Sequence, residues 1–165
     1  MVQTPSELLL DDVIDEINRV FYGVTREGGV SLHEADVIDD YYGSMEERAE
    51  ARKLDAETRW QDVPDPDIEQ NSSILSFLDP IGFHCYIPAY MVWTLKNLWI
   101  SLSFSTDSTI YALTLEGEDL KNWKLERFSL FNQEQAQAIC QFLRCMVTIE
   151  KISDCDDAQK ALDKY

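Results

Sequence analysis

Apolar residues recur at helical spacing along most of this chain, and the polar residues opening each run supply what helix starts need. Leu10, Val13, Ile14, Ile17 and Phe21 form the first stripe, with Asp11, Asp12, Asp15 and Arg19 on other faces. Thr4-Pro5-Ser6-Glu7 precedes it with a capping hydroxyl, a proline for the first helical position and a glutamate three residues past the cap. Gly23 suits the stop, and Gly28-Gly29 reads as a flexible connection. Ser31-x-x-Glu34 repeats the capping box and opens a short helix through Ala35, Ile38 and Tyr41, ending at Gly43. Ser44-x-x-Glu47 opens a third helix, charged from Glu46 to Arg59, with Lys53–Glu57 and Asp55–Arg59 as opposite pairs four apart.

Val63-Pro64-Asp65-Pro66 breaks the pattern. Beyond it, two apolar runs flank Asp79-Pro80-Ile81-Gly82, the composition of a type I turn, so the pattern predicts a β-hairpin. Pro88 then starts a helix that is apolar nearly all round, which means central burial. Residues 109–115 fit a short helix capped by Asp107 or a strand, and 116–124 read as a polar loop. Asn132-x-x-Gln135 caps the most periodic helix, with Ala136, Ile139, Cys140, Leu143, Met146 and Val147 on its stripe, and Asp154 caps a last one. The expected fold is α+β: a predominantly helical single domain over 1–165, with one small hairpin at about 74–87 and a buried core helix at about 88–98. Tyr86, Ala89, Val92, Leu95 and Leu143 are its expected core, with helix 88–98 against helix 133–147.

Charge changes the picture more than composition does. The chain has 165 residues and a formal net charge of −17. Residues 1–80 hold 20 acids and 6 bases, and the rest hold 11 and 8. A field of this sign repels nucleic acid and anionic membrane and draws basic partners. Residues 1–10 lack a basic start and run into Asp11 and Asp12, so no secretory leader is expected. The richest apolar stretch, 81–95, is too short and broken to span a bilayer. With four cysteines and no C-x-x-C, the expectation is a soluble, cytoplasmic protein with reduced thiols.

Little catalytic chemistry is written here. His33, Asp36 and Asp40 fall at i, i+3 and i+7, which sets an imidazole and two carboxylates on one helical face as a candidate Mn, Fe or Zn site. Acids in the first turns of a helix also serve its dipole, which is the plainer account. Asp65-x-Asp67-x-Glu69 lacks the glycine and the final glutamate of a calcium loop. His84 and Cys85, read on a strand, point to opposite faces and cannot pair. No phosphate-binding or dinucleotide glycine motif appears, and no cofactor is expected.

The string Phe77-Leu78-Asp79-Pro80-Ile81-Gly82-Phe83-His84-Cys85-Tyr86-Ile87-Pro88-Ala89-Tyr90 resembles the hallmark of an uncharacterised bacterial family of unknown function. The resemblance continues over residues 29–35, 60–63 and 127–131, then at Glu134-Gln135 and Phe142-Leu143. It implies no substrate and no catalytic residue. Residues 116–124 look longer than that family's usual connection.

The leading functional expectation is a non-catalytic module that binds a basic protein through Asp11, Asp12, Asp15, Glu34, Asp36, Asp39 and Asp40. An immunity-type protein that neutralises a cationic enzyme is one concrete form. The alternative is a small metal-dependent or acid–base enzyme using the His33, Asp36 and Asp40 face.

Overall fold

The computed structural model describes residues 5–98, 103–115 and 118–153. Among them the chain forms eight α-helices: α1 (Pro5–Val20), α2 (Leu32–Tyr41), α3 (Met45–Arg52), α4 (Asp65–Gln70), α5 (Pro80–Asn97), α6 (Ser105–Ala112), α7 (Glu118–Phe128) and α8 (Gln133–Ser153). Two 3-10 turns, Trp60–Asp62 and Ile74–Ser76, complete the regular structure. The described residues hold no strand, only an isolated bridge between Thr25 and Arg59, so the fold is all-helical and not α+β. The Thr4 cap and the helix expected from Asp154 lie outside the described residues.

The hairpin expected at 74–87 fails for an identifiable reason. Asp79 has extended backbone geometry, its carboxylate accepts the Gly82 N–H at 2.8 Å, and Pro80 occupies the first helical position. Aspartate, proline and glycine at these spacings suit a type I turn and a capped helix start equally, because both place the residues after the aspartate in right-handed helical geometry. The helix wins because residues 83–95 are nearly all buried, and so a single rod from Pro80 to Asn97 becomes the centre of the molecule. Pro88 therefore lies inside α5 and does not begin it, which leaves the His84 carbonyl without its usual helical donor.

α5 packs against α1, α4, α6, α7 and both 3-10 turns. The expected core residues Tyr86, Ala89, Val92, Leu95 and Leu143 are all buried. α8 packs chiefly on α1, where the sequence pairs it with α5. Its start follows the expected box: Gln135 N–H donates to Asn132 Oδ1 at 2.9 Å, and Gln135 Oε1 accepts the Asn132 N–H at 3.1 Å.

α7 runs through residues 118–124, where a polar loop is expected, and on to Phe128. Lys124 and Arg127 are buried, and their charged ends reach carbonyls: Tyr111 O and Thr114 O for Lys124, and Leu75, Ser76 and Leu78 O for Arg127. The Arg127 guanidinium lies 3.2 Å from the centre of the Trp123 ring. Polar letters thus make an inward face, closing the carbonyls of the Ile74–Ser76 turn that leads into α5. No helix among the described residues is long and apolar enough to cross a membrane.

Candidate functional site

The acidic residues singled out by the sequence fall on two helices packed in different places. α1, with Asp11, Asp12 and Asp15, packs on α8 and α5; α2, with Glu34, Asp36, Asp39 and Asp40, packs on α3 and the Ile74–Ser76 turn. Glu34 leaves the expected surface. It is buried, accepts the Ser31 N–H at 3.3 Å, and holds Arg48 Nη2 at 2.8 Å and Arg52 Nη1 at 2.9 Å. Burial alone raises a carboxyl pKa, but Arg48, the Ser31 N–H and Arg52 bring Glu34 below its ordinary range. Arg52 also donates to Gly29 O at 2.7 Å, so α3 is tied both to α2 and to the loop before it.

His33 makes its hydrogen bonds to Asp55 and not to Asp36 or Asp40. Its ring Nδ1 lies 2.6 Å from Asp55 Oδ1, and its own backbone N–H donates to Asp55 Oδ2 at 3.0 Å. One buried carboxylate therefore grips residue 33 twice. The pairing also explains why α3 stops at Arg52: Asp55 and Glu57 are called inward and never form the helical pairs expected with Arg59 and Lys53. Burial disfavours charge on His33, yet the Asp55 hydrogen bond and charge, with Asp67 and Asp36, leave its pKa raised. No group of three or more His, Cys, Asp or Glu among the described residues is arranged to hold a metal ion.

Behind this pair sits a second knot. Tyr86 on α5 donates its hydroxyl to Glu57 Oε1 at 2.9 Å and accepts Arg26 Nη1 at 3.0 Å and the Leu32 N–H at 3.3 Å. Arg26 also reaches Asp55 O at 3.2 Å. Sequence reasoning missed Arg26, Asp55, Glu57 and Tyr86 as a set, since no periodicity joins positions 26, 55, 57 and 86. Cys85 beside them is a poor nucleophile, because burial pushes its thiol up to about 12.

The α2–α3 corner faces outward, with Tyr41, Tyr42 and Met45 exposed. Tyr42, at the end of α2, has φ 64° and ψ −16°, and its N–H donates to Ile38 O at 3.2 Å. Ser44 then caps α3, donating its N–H to Glu47 Oε2 at 2.7 Å and accepting the Glu47 N–H at 3.2 Å. Asp36, Asp39 and Asp40 crowd the adjoining face of α2; partial burial, then the charges of Asp40 and Asp39, raise the Asp36 pKa despite His33. Asp39 accepts the Ser73 hydroxyl at 2.8 Å.

A family model matches residues 9–165, a span that takes in this corner, the buried knot and the Asp79-Pro80 start of α5. The chain belongs to DUF6714, a family of unknown function. No curated protein and no solved structure matches it. The DUF6714 assignment agrees with the resemblance to a family without an assigned activity.

Proposed function

We propose that this protein is a non-catalytic binding module for a basic protein partner. One observation carries the reading: all six basic side chains of the first eighty residues are already engaged by other acids. Arg19 pairs with Glu16 and Glu134, Arg26 with Glu57, Arg48 and Arg52 with Glu34, Lys53 with Glu50, and Arg59 with Asp62. Asp12, Asp15, Asp36 and Asp40 are exposed and enter no ion pair among the described residues. Their charge projects into solvent, and a cationic partner supplies the counter-charge the chain withholds. Cytoplasmic residence fits the free thiols of Cys85, Cys140 and Cys145.

The test is retention of proteins from the native host's extract on immobilised protein at low salt. The wild type is compared with a variant carrying Asp36→Asn, Asp39→Asn and Asp40→Asn. The reading expects a protein of net positive charge that is retained by the wild type, released by salt and lost with the variant. Equal retention by both forms, or retention that ignores salt, contradicts it.

A further inference from the structure

We propose that the exposed corner of Tyr41, Tyr42 and Met45, flanked by Asp39, Asp40 and Glu46, is where that basic partner seats. The proposal deepens the basic-partner reading and rests on it. Tyr42 is 82% exposed, Met45 84% and Tyr41 58%, so three large side chains adjoining one short turn give most of their surface to water. Scattered exposed apolar residues need no explanation, but a cluster of them rimmed by charge is the composition of an interface centre. Tyrosine and methionine are the residue types enriched there.

The backbone points the same way. Tyr42 takes a left-handed conformation at the end of α2, a position that glycine fills without strain. A bulky ring held there and turned outward contributes little to the core. The turn is also stiff. Ser44 and Glu47 close the start of α3, and Arg48 and Arg52 bind α3 to Glu34 of α2. A surface fixed before encounter loses less conformational freedom on binding.

Charge selects the occupant. A second copy of this chain brings the same acids to the contact and is repelled, as are nucleic acid and anionic membrane. An uncharged apolar surface removes water from Asp39, Asp40 and Glu46 without replacing it. A protein face with lysines or arginines around a shallow apolar recess satisfies the rings and the carboxylates together.

The experiment places the photo-cross-linking residue p-benzoylphenylalanine at position 42 in one sample and at position 15, on α1, in another, in the host's own cells. The expected result is one protein of net positive charge cross-linked from 42 and not from 15, and lost when Asp39→Lys and Asp40→Lys are added. Circular dichroism checks that these variants remain folded. Cross-linking from 15 alone overturns the corner and leaves the basic-partner reading standing. Cross-linking from 42 to a neutral or acidic protein overturns the stated chemistry. Silence at both positions overturns the corner, and the retention experiment then decides separately whether any basic partner exists.

Discussion

Gly82 is the third residue of α5, where the loop before α2 crosses it. A Cβ added there stands 2.4 Å from Val30 O and 2.9 Å from Asp79 Oδ1, and one added at Gly29 stands 2.6 Å from the Gly82 nitrogen. Two glycines therefore allow two backbones to touch, and Gly28-Gly29, read from sequence as a flexible connection, has its second member buried in that contact. Gly82→Ala is expected to destabilise by about 1–3 kcal/mol through overpacking, read by urea denaturation. His33 gives a second prediction at this scale. Its folded pKa is raised, so its pairing with Asp55 contributes fully below the unfolded value of about 6.5 and fades as pH rises through the folded value. His84 acts with the opposite sign, because burial lowers its pKa and its protonation opposes folding in acid. The difference in melting temperature between wild type and His33→Gln isolates the first effect. It should be largest at pH 6 and shrink toward pH 9, whereas a difference growing with pH contradicts the His33–Asp55 account.

Asp79 shows what an element's first residue controls. Its Oδ1 accepts both the Gly82 N–H of α5 and the Val30 N–H of the crossing loop, each at 2.8 Å. Asp79→Ala should cost about 2–4 kcal/mol, combining a lost N-cap with an orphaned Val30 N–H. Asp79→Asn should cost less, and equal losses count against the double role. At the end of α2, Tyr42→Gly is expected to raise stability by about 1 kcal/mol by relieving a left-handed tyrosine. A clear loss means that the ring packs on its own chain.

Helix starts with caps were legible: the boxes at Ser31, Ser44 and Asn132 fall where the spacing puts them, since capping is local chemistry. Strand against helix at 74–87 was not, because Asp79-Pro80-Ile81-Gly82 serves either and only the burial of 83–95 decides. α7 was hidden because Lys124 and Arg127 count as polar letters while their stems and heads turn inward. At the candidate site, spacing set His33 with Asp36 and Asp40, but His33 is claimed by Asp55, twenty-two residues away and invisible to any helical period.

For the whole molecule, the acids of α1 and α2 act as a field more than as pairs. Exposed like charges disfavour the compact state, and salt screens them within about 10 Å at 0.1 M. Sodium chloride should therefore raise the melting temperature modestly, and a fall shows that the ion pairs of Glu34 and Glu57 outweigh the surface repulsion. The most direct test of the outward acidic corner is an amide map of the 15N-labelled protein during titration with a tetralysine peptide. The account predicts saturable shifts concentrated over residues 36–46, fading with added salt and weak over α7. Shifts spread evenly over every acid of the chain, or centred on α1, contradict it.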